Sequence, residues 1–257
     1  MFRSIVLTGA SSGIGRDLAL RLSKDGLRLL LIARRLDALE AVAREARNRG
    51  ATVVCSRLDV REIEAMKDQI CSFDDERPVD LVIANAGISA GLTADRGPEA
   101  PGIAKVIHEV NVLGVLNTVE PLLPRMIGRR SGHVALMSSL AAHAPLPDMT
   151  SYSASKAAVR AYGLALRGAL REKGVAVSVI CPGFVESAMT ARHRGFKPFQ
   201  ITSERAAEVI ERGLLRHRGE IVFPWPLALL TWLSNRLPPA LADRALQGFR
   251  AEILPDE

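Results

Sequence analysis

Cysteine is scarce in this chain: Cys55, Cys71 and Cys181 are odd in number, far apart, and lack any Cys-x-x-Cys spacing or neighbouring histidine. Such a set excludes a disulfide framework, offers no zinc site, and suits a reducing cytoplasm, so no metal is expected. No uninterrupted apolar run approaches the ~20 residues of a membrane span. A strand pattern starts at residue 4 and leaves no room for a signal peptide, so the expectation is a soluble, cytoplasmic protein. Acidic residues are in deficit, 28 against 34 Lys and Arg, for a net charge of +6. Those basic residues are spread along the chain, without a block interleaved with aromatics or a nucleic-acid motif, so no nucleic-acid partner is expected. Repeats, low-complexity tracts and dividing linkers are also missing. With 257 residues, 48% of them apolar and 24% charged, one large globular domain is the natural reading.

What the chain does have is alternation. Nearly continuous apolar runs at residues 4–7, 27–33, 52–58, 79–84, 132–138, 175–181 and 220–223 are separated by helix-period segments. That order predicts an α/β fold with a parallel sheet covered on both faces, its ligands held at the carboxyl ends of the strands. The first run leads into Thr8-Gly9-Ala10-Ser11-Ser12-Gly13-Ile14-Gly15 and then a helix carrying Leu18 and Leu22. Strand, glycine turn and helix together present backbone N–H groups and a positive helix end to a phosphate. Gly9 would permit the turn, Gly13 the approach of backbone to pyrophosphate, and Gly15 close packing of helix on strand.

The second run ends in Arg34-Arg35. At that place in a dinucleotide fold an acid would accept from the 2′-OH of NAD and an arginine would pair with the 2′-phosphate of NADP, so NADP(H) is preferred, with NAD(H) as the alternative. Two solvated arginines are the plainer reading. Asp59-Val60 and Asn85-Ala86-Gly87 sit at the ends of the third and fourth runs, where a helix cap at Asp59 and a simple turn at Gly87 compete with a ligand role. Asn111 falls mid-helix among apolar neighbours and must find partners, expose itself to solvent, or serve chemistry.

The fifth run delivers Ser139 to the same edge, and Tyr152 and Lys156, spaced i, i+4, share one helical face thirteen residues later. A cation beside a phenol lowers its pKa, which lets the pair pass a proton near neutrality. After Pro182-Gly183, residues 191–202 form a segment where a lid would sit, with His193 read as a surface residue and Ser203 with Glu204 opening the next helix.

Taken in order, Thr8 to Gly15, Asp59-Val60, Asn85-Ala86-Gly87, Asn111, Ser139, Tyr152-x-x-x-Lys156 and Pro182-Gly183 resemble the short-chain dehydrogenase/reductase family from residue 4 to about 223. The resemblance implies a doubly wound Rossmann fold with a seven-stranded, mostly parallel sheet and a nicotinamide dinucleotide. Its site would draw on Ser11, Ser12, Ile14, Asp59, Asn85, Val185 and, where the family often has threonine, Ser187. It also implies a catalytic set of Asn111, Ser139, Tyr152 and Lys156, with Tyr152 as proton donor, Ser139 steadying the substrate oxygen, Lys156 tuning the phenol and holding the ribose, and Asn111 placing a relay water. The substrate would be a small carbonyl or alcohol, and a homodimer or homotetramer is usual in the family. A non-catalytic dinucleotide sensor is the competing function, disfavoured by retention of the proton donor.

Residues 1–223 would then form the dinucleotide-binding and catalytic unit, and residues 224–257 an apolar helical extension. The extension begins Pro224-Trp225-Pro226, carries both tryptophans, and continues past Pro238-Pro239 as a helical run to about residue 254. Packing on the body or a sister subunit leads, with a pocket cover or a shallow membrane contact as alternatives. The pocket itself would be bounded by residues 91–102, 143–150 and 191–202, and the few polar side chains of 141–149 hint at an apolar substrate.

Overall fold

A computed structural model describes residues 2–92, 97–234, 236–238, 240–241 and 251–253. The seven apolar runs pair as parallel strands: β1 (Ser4–Thr8), β2 (Arg28–Ala33), β3 (Thr52–Arg57), β4 (Leu81–Ala84), β5 (Gly132–Met137), β6 (Val175–Pro182) and, after a short excursion, β8 (Glu220–Phe223), in the spatial order β3-β2-β1-β4-β5-β6-β8. Successive residues of a strand face opposite sides, so each run supplies two cores. Ile5, Leu7, Leu29 and Leu31 pack under helices α1 (Gly13–Leu22), α2 (Leu36–Asn48) and α9 (Ser203–Leu215). Val6, Leu30, Val82 and Val134 pack under α3 (Ile63–Glu76), α5 (Gly114–Val119) and α7 (Thr150–Leu170). Helices on both faces of a doubly wound parallel sheet make this a Rossmann fold. The winding reverses between the neighbours β1 and β4, which opens a crevice at their carboxyl ends.

Several elements depart from the periodicity reading. The long helix expected around Asn111 is α4 (Ile103–His108) and α5 joined by one π turn, Glu109–Leu113, and α6 (Leu123–Gly128) follows it. α9 does open at Ser203, and Thr202 caps it, its hydroxyl accepting from the Arg205 N–H at 3.2 Å. Within residues 191–202, the end of α8 (Ala188–Ala191) runs into β7 (His193–Gly195), which pairs antiparallel with β9 (Ala251–Ile253). The expected helical run to residue 254 is therefore corrected: after α10 (Trp225–Ser234) the chain returns as a strand, because β7 offers an open edge. Pro239, 242–250 and 254 from that run, and 93–96 from the expected pocket loop, lie outside the described residues. No described helix is long and apolar enough to cross a membrane.

One buried histidine ties the second half of the sheet together. Ser178 donates its single hydroxyl proton to the Arg218 carbonyl at 2.6 Å, so the 2.8 Å contact with His133 is a donation from the His133 Nε2–H. Nδ1 is then buried without a partner, and the stacked His217 ring lies 5.0 Å away. Burial, helped by His217, pushes His133 down to about 4. The unfolded chain binds this proton from about pH 6.5 and the folded chain only near 4, so stability falls with pH across that window, by about 3 kcal/mol in total. Comparing melting temperatures at pH 7 and pH 4.5 should show the loss, and His133→Gln should shrink it.

Candidate active site

The crevice is built first by Thr8. Its hydroxyl accepts from the N–H groups of Asn85 (3.1 Å) and Ala86 (3.2 Å), while Asn85 Nδ2 donates back to the carbonyls of Thr8 (3.0 Å) and Gly9 (3.2 Å). The ends of β1 and β4 are thus locked edge to edge. Gly9 has φ +66°, and a Cβ there would lie 2.8 Å from the Ala86 Cα, so the turn admits no side chain. Gly15 brings the start of α1 onto this turn. Ser12, extended and exposed, places no side-chain bond on the helix end, so the first N–H groups of α1, from Gly13 onward, are left for a ligand. Ser11 and Ile14 flank them half-buried, and Ser187 Cβ would lie 3.3 Å from a Cβ on Gly13, so the sixth strand's loop faces the glycine turn.

Arg34 and Arg35 are exposed beyond β2, and neither side chain forms a hydrogen bond or close ion pair with a described residue, Arg34 acting on Asp59 only through its field. Asp59 does not cap α3, whose N-cap residue is Glu62. Its carboxylate instead takes a fork from Arg61, at 3.0 and 2.8 Å, and the Arg61 backbone N–H, which together hold it below the usual carboxylate range. Val60 is buried against Gly114, and its carbonyl accepts from Asn117 at 2.8 Å. The Asp59 carboxylate and the Asn85 Nδ2 group are therefore engaged inside the protein.

Behind this rim lies the proton chemistry. The fully buried Asn111 amide is completely used: Oδ1 accepts from Ile88 N at 2.8 Å, and Nδ2 donates to the Ile88 carbonyl and to Ser155 Oγ, both at 3.0 Å. The π turn inserts the extra residue that aims this amide inward. Its side chain acts as a clamp between the β4 loop and α7. Lys156 is buried, with Nζ donating to the Met137 carbonyl at 2.9 Å. A Cβ on Gly87 would lie 3.2 Å from Asn111 Oδ1 and 3.3 Å from Lys156 Nζ, so a side chain there would fill the space in which the two converge. Nζ stands 5.8 Å from the Tyr152 ring centroid.

Burial disfavours charge at both groups. It lowers Lys156 to about 8 and raises the Tyr152 phenol above its ordinary value, a hydrogen bond with Ser139 pulling the phenol the other way. The expected lowering of Tyr152 by Lys156 is not what the structure gives: desolvation raises the phenol, and Ser139 supplies the opposing pull. Ser139 Oγ accepts from Ala141 N at 3.1 Å, and apart from Tyr152 its proton has a long 3.5 Å contact with the Pro182 carbonyl. Ser138, the neighbouring candidate, spends its proton on the Lys156 carbonyl at 2.8 Å and fixes the helix instead. Elsewhere His143, Cys181 and Glu220 converge, but Arg160 already pairs with Glu220 at 2.7 Å and burial keeps the thiol protonated up to about 12.

Ser139 and Tyr152 open onto a cavity of about 300 Å3 whose wall is mainly apolar. Residues 143–150 contribute Ala144, Leu146 and Met149 as expected, whereas no described residue of 91–102 lines it. The 191–202 segment and the tail, the latter in its pocket-cover alternative, supply two further walls. His193 is not a surface residue: it is 6% exposed, edge-on to Phe184 at 5.2 Å, because β9 covers it. The tail supplies Leu227, Leu230, Thr231, Ser234 and Ile253, so it closes the pocket of its own body. Gly183 carries the floor, where a Cβ would meet Leu227 at 2.8 Å, and Val185 fixes the rest of the loop through a bridge to Ile201.

Comparison with known proteins agrees with this geometry. A family profile described as short chain dehydrogenase matches residues 3–197. An uncharacterized oxidoreductase of Myxococcus xanthus is 39% identical over 250 residues, covering 97% of this chain and 98% of its own. The serine 3-dehydrogenase of Rhizobium radiobacter is 34% identical over 197 residues, or 76% of this chain and 77% of its own. Among solved structures, an alcohol dehydrogenase of the archaeon Thermococcus sibiricus, complexed with 5-hydroxy-NADP, superposes with a TM-score of 0.75 at 27% identity, covering 87% of this chain and 96% of its own.

Proposed function

The chain belongs to the short-chain dehydrogenase/reductase family, whose members are oxidoreductases acting on CH–OH and C=O groups, and we propose that it is an NADPH-preferring reductase of apolar carbonyls. The same chemistry reversed oxidises a secondary alcohol. The observation that carries the reading is that Ser139 and Tyr152 share one mainly apolar cavity while Lys156 is buried behind the phenol. A nicotinamide dinucleotide, when bound, supplies or accepts the hydride. The residues fit that group: the Gly9 to Gly15 turn with its uncapped helix end, the backbone of Val60, Ala86 and Gly87, the Pro182 to Ser187 loop, and two unpaired arginines beyond β2.

The protein's own share is proton transfer. Tyr152, kept protonated by burial, donates to the carbonyl oxygen, and the Ser139 hydroxyl beside it, held otherwise by a long contact with Pro182, steadies that oxygen as charge develops. Lys156, charged below about pH 8, favours the phenolate left behind and holds the ribose. Asn111 is a positioning residue that keeps α7 against the β4 loop. The proposal includes residues 1–223 as the catalytic unit, residues 224–257 as the pocket-closing extension, a homodimer or homotetramer through the helices bearing Asn111 and Tyr152, and a cytoplasmic location.

Fluorescence titration with NADPH and NADH tests the cofactor part. Wild type should bind NADPH at least about tenfold tighter, and Arg34→Ala with Arg35→Ala should lose about ten- to a hundredfold in NADPH affinity, as expected for charge-assisted bonds to a phosphate, with little change for NADH. An equal loss for both cofactors, or tighter NADH binding by wild type, defeats the assignment.

A further inference from the structure

The outer side of α10 is unlike a solvated surface helix. Leu227 is buried and Leu230, Thr231 and Ser234 turn to the cavity, yet Trp225 (74% exposed), Leu229, Trp232 and Leu233 face outward, followed by exposed Leu237 and Leu241. A surface helix normally carries charge there, but Arg236 is the only charged residue from 224 to 241, and its guanidinium stacks on Trp232 at 3.4 Å. Across the same cavity, the segment containing His193 exposes Phe196 (65%) and Phe199, among Arg192, Arg194 and Lys197. Residues 188–203 contain no acid. Leu230 both lines the cavity and is half exposed, so the cavity mouth lies on this face.

We infer that this face docks on an anionic membrane surface, with α10 lying in the interface and the cavity mouth turned to the bilayer. Tryptophan and leucine at the level of the lipid headgroups, with arginine and lysine beside them, are the composition that settles there. Each cation close to an anionic bilayer strengthens binding by roughly fivefold. A second copy suits the face less well, since a two-fold contact would bring like basic segments together, Glu252, opposite Arg194 in the strand register, being the one acid that the neighbouring strand β9 adds.

Both tryptophans of the chain sit on α10, so intrinsic fluorescence reads this helix alone. Titrating the full chain with phosphatidylcholine vesicles containing phosphatidylglycerol should shift the emission to the blue and carry the protein into the vesicle pellet, and added salt should reverse both. Vesicles of phosphatidylcholine alone should do markedly less. Leu229→Ser with Leu233→Ser should lose the shift while still binding NADPH, and Arg194→Glu should weaken binding roughly tenfold or more. No shift with either vesicle, or equal binding to both, overturns the proposal. So does a blue shift that appears without lipid as protein concentration and sedimenting mass rise together, which would make the face a contact between copies. The readout needs no turnover, so a failed carbonyl assay would leave this result standing, and the reverse.

Discussion

Tyr152→Phe should lower carbonyl reduction by about 10²- to 10⁴-fold, the range that a positioned proton donor contributes, and leave NADPH binding unchanged. The substitution removes one oxygen from a side chain whose ring is packed, so neither fold nor cofactor groove loses a contact that holds it. The pH profile sharpens the test. Burial raises the phenol, so the proton needed for reduction stays in place through neutrality. Lys156, lowered to about 8, loses its charge above that value and with it the support for the phenolate produced in each turnover. Reduction should therefore decline as pH rises through about 8, whereas alcohol oxidation, which needs the phenolate, should climb with pH. Steady-state kinetics in both directions measures this, and Tyr152→Phe should abolish both limbs together. If neither wild type nor variant turns over any carbonyl or alcohol while both bind NADPH, the chain is a dinucleotide sensor.

How much of this was legible depended on how local the cause was. The seven strands could be read because a parallel strand buried on both faces must be apolar almost throughout, as Leu29 to Ile32 are. The glycine turn could be read because its needs are partly local, Gly9 at positive φ and Gly15 against the Gly9 carbonyl, although the contacts of both with Asn85 come from far along the chain. Tyr152 and Lys156 could be read from their spacing along one helix, and Ser139 from its place at the end of an apolar strand thirteen residues earlier. Asn111 could be singled out because a mid-helix amide needs partners, but not the partners, since Ile88 and Ser155 come from elements far apart in sequence. Thr8 stood in plain view in the glycine motif, yet nothing local shows that its hydroxyl holds β4.

The pocket was the least legible part, for the same reason. His193 reads as a surface residue because nothing near it in the sequence fixes a partner, and only the pairing of β7 with β9, more than fifty residues later, buries it. The tail's apolar character was evident, but its division into a pocket side and an outward side follows from where Gly183 lets Leu227 dock.

Gly15→Ala should be the second most damaging change, though it adds one methyl group. A Cβ at Gly15 would lie 2.2 Å from the Gly9 carbonyl oxygen and 2.6 Å from Asn85 Nδ2, far inside van der Waals contact. Neither neighbour can yield. The Gly9 oxygen belongs to the backbone of a turn at φ +66°, and Asn85 is tied to both Thr8 and Gly9. The helix cannot withdraw either, because Leu18 and Ala19 are fully buried against the sheet. The strain should cost about 1–3 kcal/mol of stability as overpacking. It should also displace the N–H groups that face the cofactor phosphates, weakening NADPH about a hundredfold, since a shift of about 1 Å spoils several hydrogen bonds at once. Gly168→Ala is the control: it lies exposed on α7 with no atom within 4 Å of an added Cβ, and should stabilise by about 0.5–1 kcal/mol. Thermal melts with and without NADPH separate the two effects. Gly15→Ala should melt lower and gain little from the cofactor, whereas Gly168→Ala should keep the full cofactor-induced rise. A normal rise in Gly15→Ala would mean that the cofactor phosphates rest somewhere other than on this turn.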